Sequence, residues 1–419
     1  MSKLSRQLSL VTKSVGVKTY KGKWGVLNLK RDSKMCVKCF LPVECYKVPL
    51  DGSGVCAYCN TIEQFKHQVS MIGNREELLA HRLQLFREKG RYDCIVGFSG
   101  GKDSSYLLYK LQHHYKARVL SYTLDNGYLT PYAKENIQKL INNLGIDHLW
   151  VSPPTDILHE FYRANMLVEG WPCSACFHLM STSAWKLAFK YGIPFIINGR
   201  TPEQILRNPT PEMFDSNNSL LFSSFLPYDY KRTKLAALNS VNESHKFKQW
   251  LLQDKSYWSC AQEYLYVDPE EAKNAEVSPE LLAFFLYEPY NEKEITITLE
   301  RNTSWRPPHD RRVFSHADCG AHRAAGYLYN RIIGTPFLTL ELSASIRLGS
   351  MPPKEALLLL ENEKIKVSQF PQDSVAELSK MCRMSERFIK LLPVRVRMQN
   401  ALRCAHNKAN KLLRKGAAV

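Results

Sequence analysis

Strand-like and helix-like patterns alternate along residues 92–198, and this alternation limits the possible folds more than any other feature of the sequence. The strand-like runs, in chain order, are "DCIVGF", "ARVLSYTLDNG", "HLWVSPP" and "IPFIING". The helix-like runs are "DSSYLLYKLQHHY", "PYAKENIQKLINNLG" and "SAWKLAFKYG". Such alternation is typical of a parallel sheet covered by helices on both faces. We therefore predict an α/β fold with a doubly wound parallel sheet.

A glycine-rich turn lies between the first strand and the first helix, at the sheet edge where such folds bind ligands. It comprises Ser99, Gly100, Gly101, Lys102, Asp103, Ser104 and Ser105. Two adjacent glycines let the backbone approach an anion, and the amides of the turn and of the helix N-terminus then face it. The serine hydroxyls would add donors and the lysine a positive charge, whereas the aspartate would repel phosphate unless a divalent metal joined them. The spacing is not G-x-x-x-x-G-K-[ST], so hydrolysis of a terminal phosphate is not indicated.

Polar residues and a glycine follow two other strands at the same predicted edge. Asp125 and Asn126 end the second strand and are placed to contact ribose, adenine or a metal, although Asp-Asn-Gly is also an ordinary turn sequence. Gly199 follows "IPFIIN" and would let the backbone approach a substrate or adenylate, or would simply serve a turn.

Two C-x-x-C pairs stand near the N-terminus, with sixteen residues between them. They are Cys36, Cys39, Cys56 and Cys59. This spacing matches a structural zinc site of four thiolates, to which we assign no catalysis. The alternative is four free cysteines.

A third pair, Cys173 and Cys176 in "GWPCSACFH", lies between two sheet strands on the side where the glycine-rich turn opens. Three interpretations remain open. The pair could carry a persulfide or work in redox chemistry, aided by a helix N-terminus. It could hold an iron–sulfur cluster with a third cysteine, either Cys260 or Cys319. It could also be a structural metal site or a packing pair.

Residues 309–322 concentrate side chains that bind metals or substrates. They are His309, Asp310, His316, Asp318, Cys319 and His322. Such density is compatible with a functional element, although single residues of these types are usually surface positions.

Charge and composition limit the possible partners and location of the protein. The net charge is +17, but residues 1–34 carry +8 and residues 380–419 carry +10, so the body between them is balanced. These basic ends could bind RNA, an anionic membrane or an acidic partner, or only solvate the chain. No signal-peptide core or membrane-length apolar run is visible, so we expect a cytoplasmic protein.

The domain organisation follows from these features. We predict a basic lead-in over 1–34, a zinc ribbon over 35–62, an α/β core with the glycine-rich turn over 63–200, a mostly helical accessory region over 201–379 and a basic tail over 380–419. Within the accessory region, "ELLAFFLYEPY" and "KEALLLLENEK" indicate helices, and "EITITLE" indicates a short strand.

The string SGGKDS at residues 99–104 resembles the signature of the PP-loop ATP pyrophosphatases, an adenine nucleotide alpha hydrolase-like family of the HUP type. The resemblance implies that the turn binds the outer phosphates of Mg²⁺-ATP and that an acceptor oxygen is adenylated with release of pyrophosphate. Nitrogen or sulfur then displaces AMP. It also implies a charge-neutralising role for Lys102 and a magnesium-binding role for Asp103.

The order of zinc knuckle, SGGKDS segment and "TLDNGYL" is most similar to the N-acetyl sugar amidotransferases of surface polysaccharide and lipopolysaccharide biosynthesis. That resemblance implies amidation of an acetamido group of a sugar, with ammonia from a separate glutaminase subunit. The alternative is a sulfurtransferase acting on a nucleobase, a tRNA or a small molecule. It would use Cys173 and Cys176, with or without a [4Fe-4S] cluster, and an external sulfur donor. A non-catalytic ATP-binding partner is a third class.

Overall fold

Five parallel strands form one sheet at the centre of the molecule. The computed structural model describes residues 34–87, 90–214, 263–308 and 317–416. The strands are β1 (Cys94–Gly97), β2 (Val119–Leu124), β3 (Asp147–Val151), β4 (Phe195–Asn198) and β5 (Glu280–Ala283), in the spatial order β3-β2-β1-β4-β5. The first four are the predicted strands. The order reverses beside β1, and the carboxyl ends around that point are where such sheets bind ligands.

The alternating side chains of β1 supply both faces of the sheet. Cys94 and Val96 pack with helical residues such as Leu108 on one face, whereas Ile95 packs with Trp185 on the other. Both faces are therefore buried, as the near-continuous apolar composition of β1 and β2 requires in a parallel sheet. The predicted doubly wound α/β class is confirmed.

Helices account for most of the remaining described chain. In chain order they are α1 (Val43–Tyr46), α2 (Ala57–Gln64), α3 (Lys66–Ser70), α4 (Glu76–Leu85), α5 (Lys102–His113), α6 (Pro131–Leu144), α7 (Thr155–Glu169), α8 (Cys173–Lys190), α9 (Pro202–Ile205), α10 (Pro269–Asn274), α11 (Glu292–Asn302), α12 (His322–Ile333), α13 (Leu338–Leu348), α14 (Pro353–Ser368), α15 (Gln372–Cys382) and α16 (Glu386–Gly416). Short 3-10 turns span Pro211–Met213 and Phe284–Leu286. In the part of the chain that the structure describes, none of these helices has the length and apolarity needed to cross a bilayer.

Two secondary-structure predictions beyond residue 200 are wrong. "ELLAFFLYEPY" begins with strand β5 rather than a helix, because it pairs in parallel with the exposed edge of β4. "EITITLE" lies in helix α11, whose N-cap Asn291 accepts backbone hydrogen bonds and whose Ile295 and Leu299 are buried on one helical face. The helix predicted for "KEALLLLENEK" is present as α14.

The predicted boundaries at 200 and 380 do not separate structural units. The segment assigned to the accessory region contributes β5 to the central sheet. Helix α15 crosses residue 380, and α16 buries Ile389, Leu392 and Val396. The region after β5 is helical, as predicted, and the first part of the basic tail belongs to its packed core.

Candidate functional site

The glycine-rich turn adopts a conformation that only glycine tolerates at its second position. Gly100 has φ +76°, and a Cβ atom there would lie 2.5 Å from the carbonyl oxygen of Ala133. Its own carbonyl accepts hydrogen bonds from the Trp305 indole at 3.3 Å and from the Asn136 amide at 3.4 Å. Two remote side chains therefore fix the turn. No short motif marks either of them, so the sequence alone does not assign them to the site.

Two serine hydroxyls lie together in the turn, and a third is buried. The Oγ atoms of Ser99 and Ser104 are 3.3 Å apart, and the amide of Gly101 donates to Ser99 Oγ at 3.3 Å. Both side chains are half-buried, so their hydroxyls can reach a ligand. Ser105 is fully buried, and its hydroxyl has no partner among the described residues. The predicted hydrogen bond from Ser105 to a phosphate stays a prediction.

Lys102 is already engaged by an acidic side chain. Its Nζ atom donates to Glu292 Oε1 at 2.7 Å and to the Tyr290 hydroxyl at 3.2 Å, and the side chain is only 10% exposed. A phosphate would share the three donors of this ammonium group with Glu292 or replace that carboxylate, and the predicted neutralising role of Lys102 stays a prediction. Tyr290 also donates to Asp103 Oδ1 at 3.3 Å. Burial, with a contribution from Asp103, raises the pKa of Tyr290, so its hydroxyl stays a neutral donor.

A second carboxylate beside the turn comes from the predicted cluster at 309–322. A Cβ atom on Gly101 would lie 3.8 Å from Asp318 Oδ2. The backbone amide of Thr130 donates to the Asp318 carbonyl at 3.1 Å, and Cys319 pairs with Leu129, so this segment is held against the chain that follows β2. Asp318 thus lies next to Gly101, two residues before Asp103 in the sequence, and carboxylates of this kind suit a divalent cation. His309, Asp310 and His316 lie outside the described residues.

Of the two polar residues that follow β2, Asp125 takes part in a turn and Asn126 contacts the cysteine pair. Asp125 Oδ1 accepts from the Gly127 amide at 3.2 Å, while its carboxylate remains about one-third exposed. Asn126 is buried, and its amide donates to Cys176 Sγ at 3.2 Å. Asn126 thus links β2 to the cysteine pair. Its predicted contact with a nucleotide stays a prediction.

Gly199 permits a close contact within the protein. A Cβ atom there would lie 3.3 Å from the carbonyl oxygen of Asp103. The glycine therefore lets the corner after β4 approach the first turn of helix α5. The structure supports a packing role for Gly199, and the predicted approach of a substrate to it stays a prediction.

Three cysteines from two distant segments influence one another, and one of them contacts Asn126. Cys173 and Cys176 occupy the first turn of helix α8, and Cys319, in the loop before α12, is near enough to interact electrostatically with both. Burial raises the pKa of Cys173, with further contributions from Cys319 and Cys176. Burial also raises the pKa of Cys319 to about 12, and nearby Cys176 adds to this effect. Of the two candidates for a third cysteine, the structure places Cys319 here, and Cys260 lies outside the described residues.

The four N-terminal cysteines form a second, tighter group. Sγ atoms are 3.7 Å apart between Cys36 and Cys59 and also between Cys39 and Cys56, and all four lie within 4.8 Å of one another. A tetrahedral metal with bonds of about 2.3 Å to sulfur requires edges of about 3.8 Å. The cluster therefore fits a single metal ion. Arg347 donates to Cys39 Sγ at 3.4 Å and joins the cluster to helix α13.

Comparisons with known proteins give limited similarity. No family model matches the sequence. The uncharacterised protein MJ1599 of Methanocaldococcus jannaschii is 26% identical over 168 residues, which are 39% of this chain and 58% of that protein. The matched region thus spans less than two thirds of that relative's length.

Three solved structures share weak similarity with the chain. The U34-tRNA thiolase NcsA from Methanococcus maripaludis, solved with its [4Fe-4S] cluster, is 16% identical with a TM-score of 0.30 and covers 85% of this chain and 87% of its own. The NMN synthetase from Francisella tularensis is 13% identical with a TM-score of 0.22, and the match covers 33% of this chain and 60% of the synthetase. The NH3-dependent NAD synthetase from Campylobacter jejuni is 11% identical with a TM-score of 0.24, and the match covers 45% of this chain and 91% of that synthetase. Because these TM-scores are low, we assign the fold from the strand order of this protein and describe the candidate site from the contacts within this protein.

Proposed function

We propose that this protein is a PP-loop ATP pyrophosphatase that adenylates an acceptor and releases pyrophosphate. The observation that carries the proposal is the turn at residues 99–104. Gly100 holds a left-handed backbone there, and the Ser99 and Ser104 hydroxyls lie together beside the N-terminus of helix α5. Amides in the first turn of a helix have no intrahelical partner and favour a bound anion. The β- and γ-phosphates of ATP would occupy this corner.

The proposed reaction has two steps. An acceptor oxygen attacks the α-phosphorus of ATP, the bond to the β-phosphate oxygen breaks, and pyrophosphate leaves. A sulfur or nitrogen nucleophile then attacks the activated carbon, and the carbon–oxygen bond breaks with departure of AMP. Asp103 and Asp318 would hold a magnesium ion, which would balance the charge of the phosphates. The turn donors would stabilise the negative charge that develops on the leaving pyrophosphate.

We favour sulfur as the transferred atom. Cys173, Cys176 and Cys319 are brought together from segments far apart in sequence, and Asn126 connects them to the end of β2. Amidation requires none of these thiols, whereas an iron–sulfur cluster or a persulfide does. The three cysteines would hold a [4Fe-4S] cluster, which would present sulfur to the adenylated acceptor. An external donor would replenish that sulfur.

The amidotransferase alternative is supported by the resemblance of residues 35–200 to sugar amidotransferases. On that alternative the acceptor is an acetamido sugar, and a separate glutaminase supplies ammonia. The two alternatives share the adenylation step and differ in the product mass.

We further propose that the metal at the N-terminal cluster is zinc. The sulfur–sulfur distances of 3.7 Å fit one tetrahedral ion. A cubane cluster binds each cysteine through a different iron, which requires wider sulfur separations. We expect the enzyme to work in the cytoplasm, where ATP is available and thiols stay reduced. The basic ends would help it hold an anionic acceptor or partner.

The test is to incubate the anaerobically purified protein with ATP and Mg²⁺ in the presence of either small-molecule or RNA extracts. AMP and pyrophosphate are the expected products, and ADP would contradict the proposal. Ser104→Ala should weaken ATP binding about tenfold or more, since a hydrogen bond to a charged group is removed. Ser368→Ala, an exposed serine on helix α14, is the matched control. Mass spectrometry of the acceptor then separates replacement of oxygen by sulfur from replacement by nitrogen.

A further inference from the structure

A cavity of about 430 Å³ opens beside the carboxyl end of β4. Its wall includes Phe177, Arg200, Arg207, Asn208 and Met213. Two lining residues are sequence neighbours of residues in the proposed site. Phe177 directly follows the cysteine pair in helix α8, and Arg200 directly follows the glycine whose position contacts the first turn of helix α5.

Two arginines line the cavity, and neither forms an ion pair with a carboxylate of the described residues. Within the described chain, no acidic oxygen lies within ion-pairing distance of the Arg200 or Arg207 guanidinium. Arg200 donates to the Gln204 carbonyl at 2.9 Å, and Arg207 lies over the Phe337 ring at 5.2 Å. Burial lowers the pKa of Arg200 and the positive charge of Arg207 lowers it further, against a smaller opposing effect of Glu341. The protein thus holds two repelling positive charges on one wall.

The cavity also presents apolar side chains that suit a ring. The Phe177 side chain is 49% exposed although it is aromatic, and Met213 adds an apolar, polarisable contact. Asn208 supplies an exposed amide with both a donor and an acceptor. An aromatic face next to paired guanidiniums matches a ligand that combines a planar ring with phosphate groups. The volume lies in the range of small-molecule sites.

We infer that this cavity binds the acceptor through its phosphate groups, and that the acceptor is a nucleotide-sized molecule such as a nucleoside diphosphate or its ester. The inference rests on the proposed function, because it assigns the acceptor of that reaction. Arg200 and Arg207 bind the phosphates, and Phe177 stacks on the ring. The acceptor would then lie between the phosphate turn and the three cysteines.

Calorimetric titration of the full chain with UDP tests the inference. The protein is first saturated with Mg²⁺ and α,β-methylene ATP, which cannot be cleaved between its first two phosphates, so that UDP cannot occupy the phosphate turn. UDP should bind, and Arg207→Gln should weaken its affinity on the order of tenfold to a hundredfold. Arg200→Lys keeps the charge but loses the bidentate fork, so a smaller loss is expected. Arg387→Gln, an exposed arginine on helix α16, removes the same charge elsewhere and should leave the affinity unchanged.

The two proposals can fail separately. If the ATP analogue binds and UDP does not, or if Arg207→Gln and Arg387→Gln have equal effects, this inference is overturned while ATP binding stands. If UDP binds in an Arg207-dependent manner but the analogue does not, the cavity is a nucleotide site, whereas the proposed function fails and the bound molecule is not its acceptor. If transfer RNA binds through Arg207 and UDP does not, the acceptor is a polymer and the nucleotide-sized assignment is overturned. An unchanged thermal unfolding temperature for each variant would show that the loss of UDP affinity does not come from a loss of the fold.

Discussion

The N-terminal cysteine cluster and the Cys173 group, which consists of Cys173, Cys176 and Cys319, use the same side chain to build two different kinds of candidate site. In the cluster, four thiols from one short segment lie within 4.8 Å of one another and are all buried. In the Cys173 group, three half-buried thiols come from segments more than 140 residues apart in the sequence. Across the described residues, they do not form a set of ligand atoms as close as the cluster does.

The difference indicates what each site can hold. Four close sulfurs surround one ion completely and leave no open position, which is the arrangement of structural sites. Three sulfurs with wider spacing leave room for a larger group and for a substrate next to it. The cluster is joined to the helical region through Arg347, whereas the Cys173 group is joined to the end of a sheet strand through Asn126. We therefore expect the cluster to stabilise the fold and the other three cysteines to take part in the chemistry.

The largest effect is expected from breaking the cluster. Cys39→Ser should remove one zinc ion per chain and lower the free energy of unfolding by at least several kcal/mol, because metal binding and folding of such a knuckle are coupled. Metal content by mass spectrometry and thermal unfolding measure the two effects. Cys45→Ser, a cysteine in the neighbouring helix α1 outside the set of four, is the control. Retention of zinc in Cys39→Ser would show that the cluster is not the metal site.

A smaller and more selective effect is expected at Cys319. Cys319→Ser should lower product formation by more than about 100-fold, since even outer-shell changes at metal sites cost up to that much. Binding of ATP and zinc should remain, because neither uses this thiol. Product mass spectrometry, iron content after anaerobic purification and zinc content measure these quantities. Cys382→Ala, a buried cysteine near Tyr128, is the control. Normal product formation in Cys319→Ser, with nitrogen in the product, would favour the amidotransferase alternative.

The two cysteine sites also differ in how far the sequence predicts them. The four cysteines of the cluster are close together in the sequence, so the spacing of the two C-x-x-C pairs is enough to predict the site. The third ligand of the Cys173 group depends on how the segment around Asp318 packs against Leu129 and Thr130, and no local pattern contains that contact. The sequence could only offer Cys319 and Cys260 as alternatives.

The same distinction applies to the fold. Strands β1 to β4 and their helices are predictable because each has its own apolar pattern between glycine or proline signals. Strand β5 is not predictable in this way, because a short apolar run does not distinguish a strand from a buried helix. The pairing with β4 makes this segment a strand. In "EITITLE" the alternating β-branched residues favour a strand, but the Asn291 cap and the burial of Ile295 with Leu299 override that preference.

The smallest expected effect concerns the link between β2 and the Cys173 group, and it tests whether that link matters to the chemistry. Asn126→Asp keeps the acceptor for the Tyr128 amide at 2.9 Å but removes the donor to Cys176 Sγ. A carboxylate then lies against a sulfur that is already affected by Asp318, in a buried environment. The free energy of unfolding should fall by about 1–3 kcal/mol.

Product formation in Asn126→Asp should fall by about tenfold, since the substitution changes the surroundings of a proposed ligand without removing it. Asn142→Asp, an exposed change of the same kind on helix α6, should change neither quantity. Zinc content should stay at the wild-type level, because Asn126 contacts none of the four cluster cysteines. A loss of stability without any loss of product formation would mean that Asn126 serves packing alone, and the contrast between a structural and a reactive cysteine site would then rest on Cys319. A parallel loss of zinc would mean that the two sites are not independent, because a change beside one would have disturbed the other through the fold.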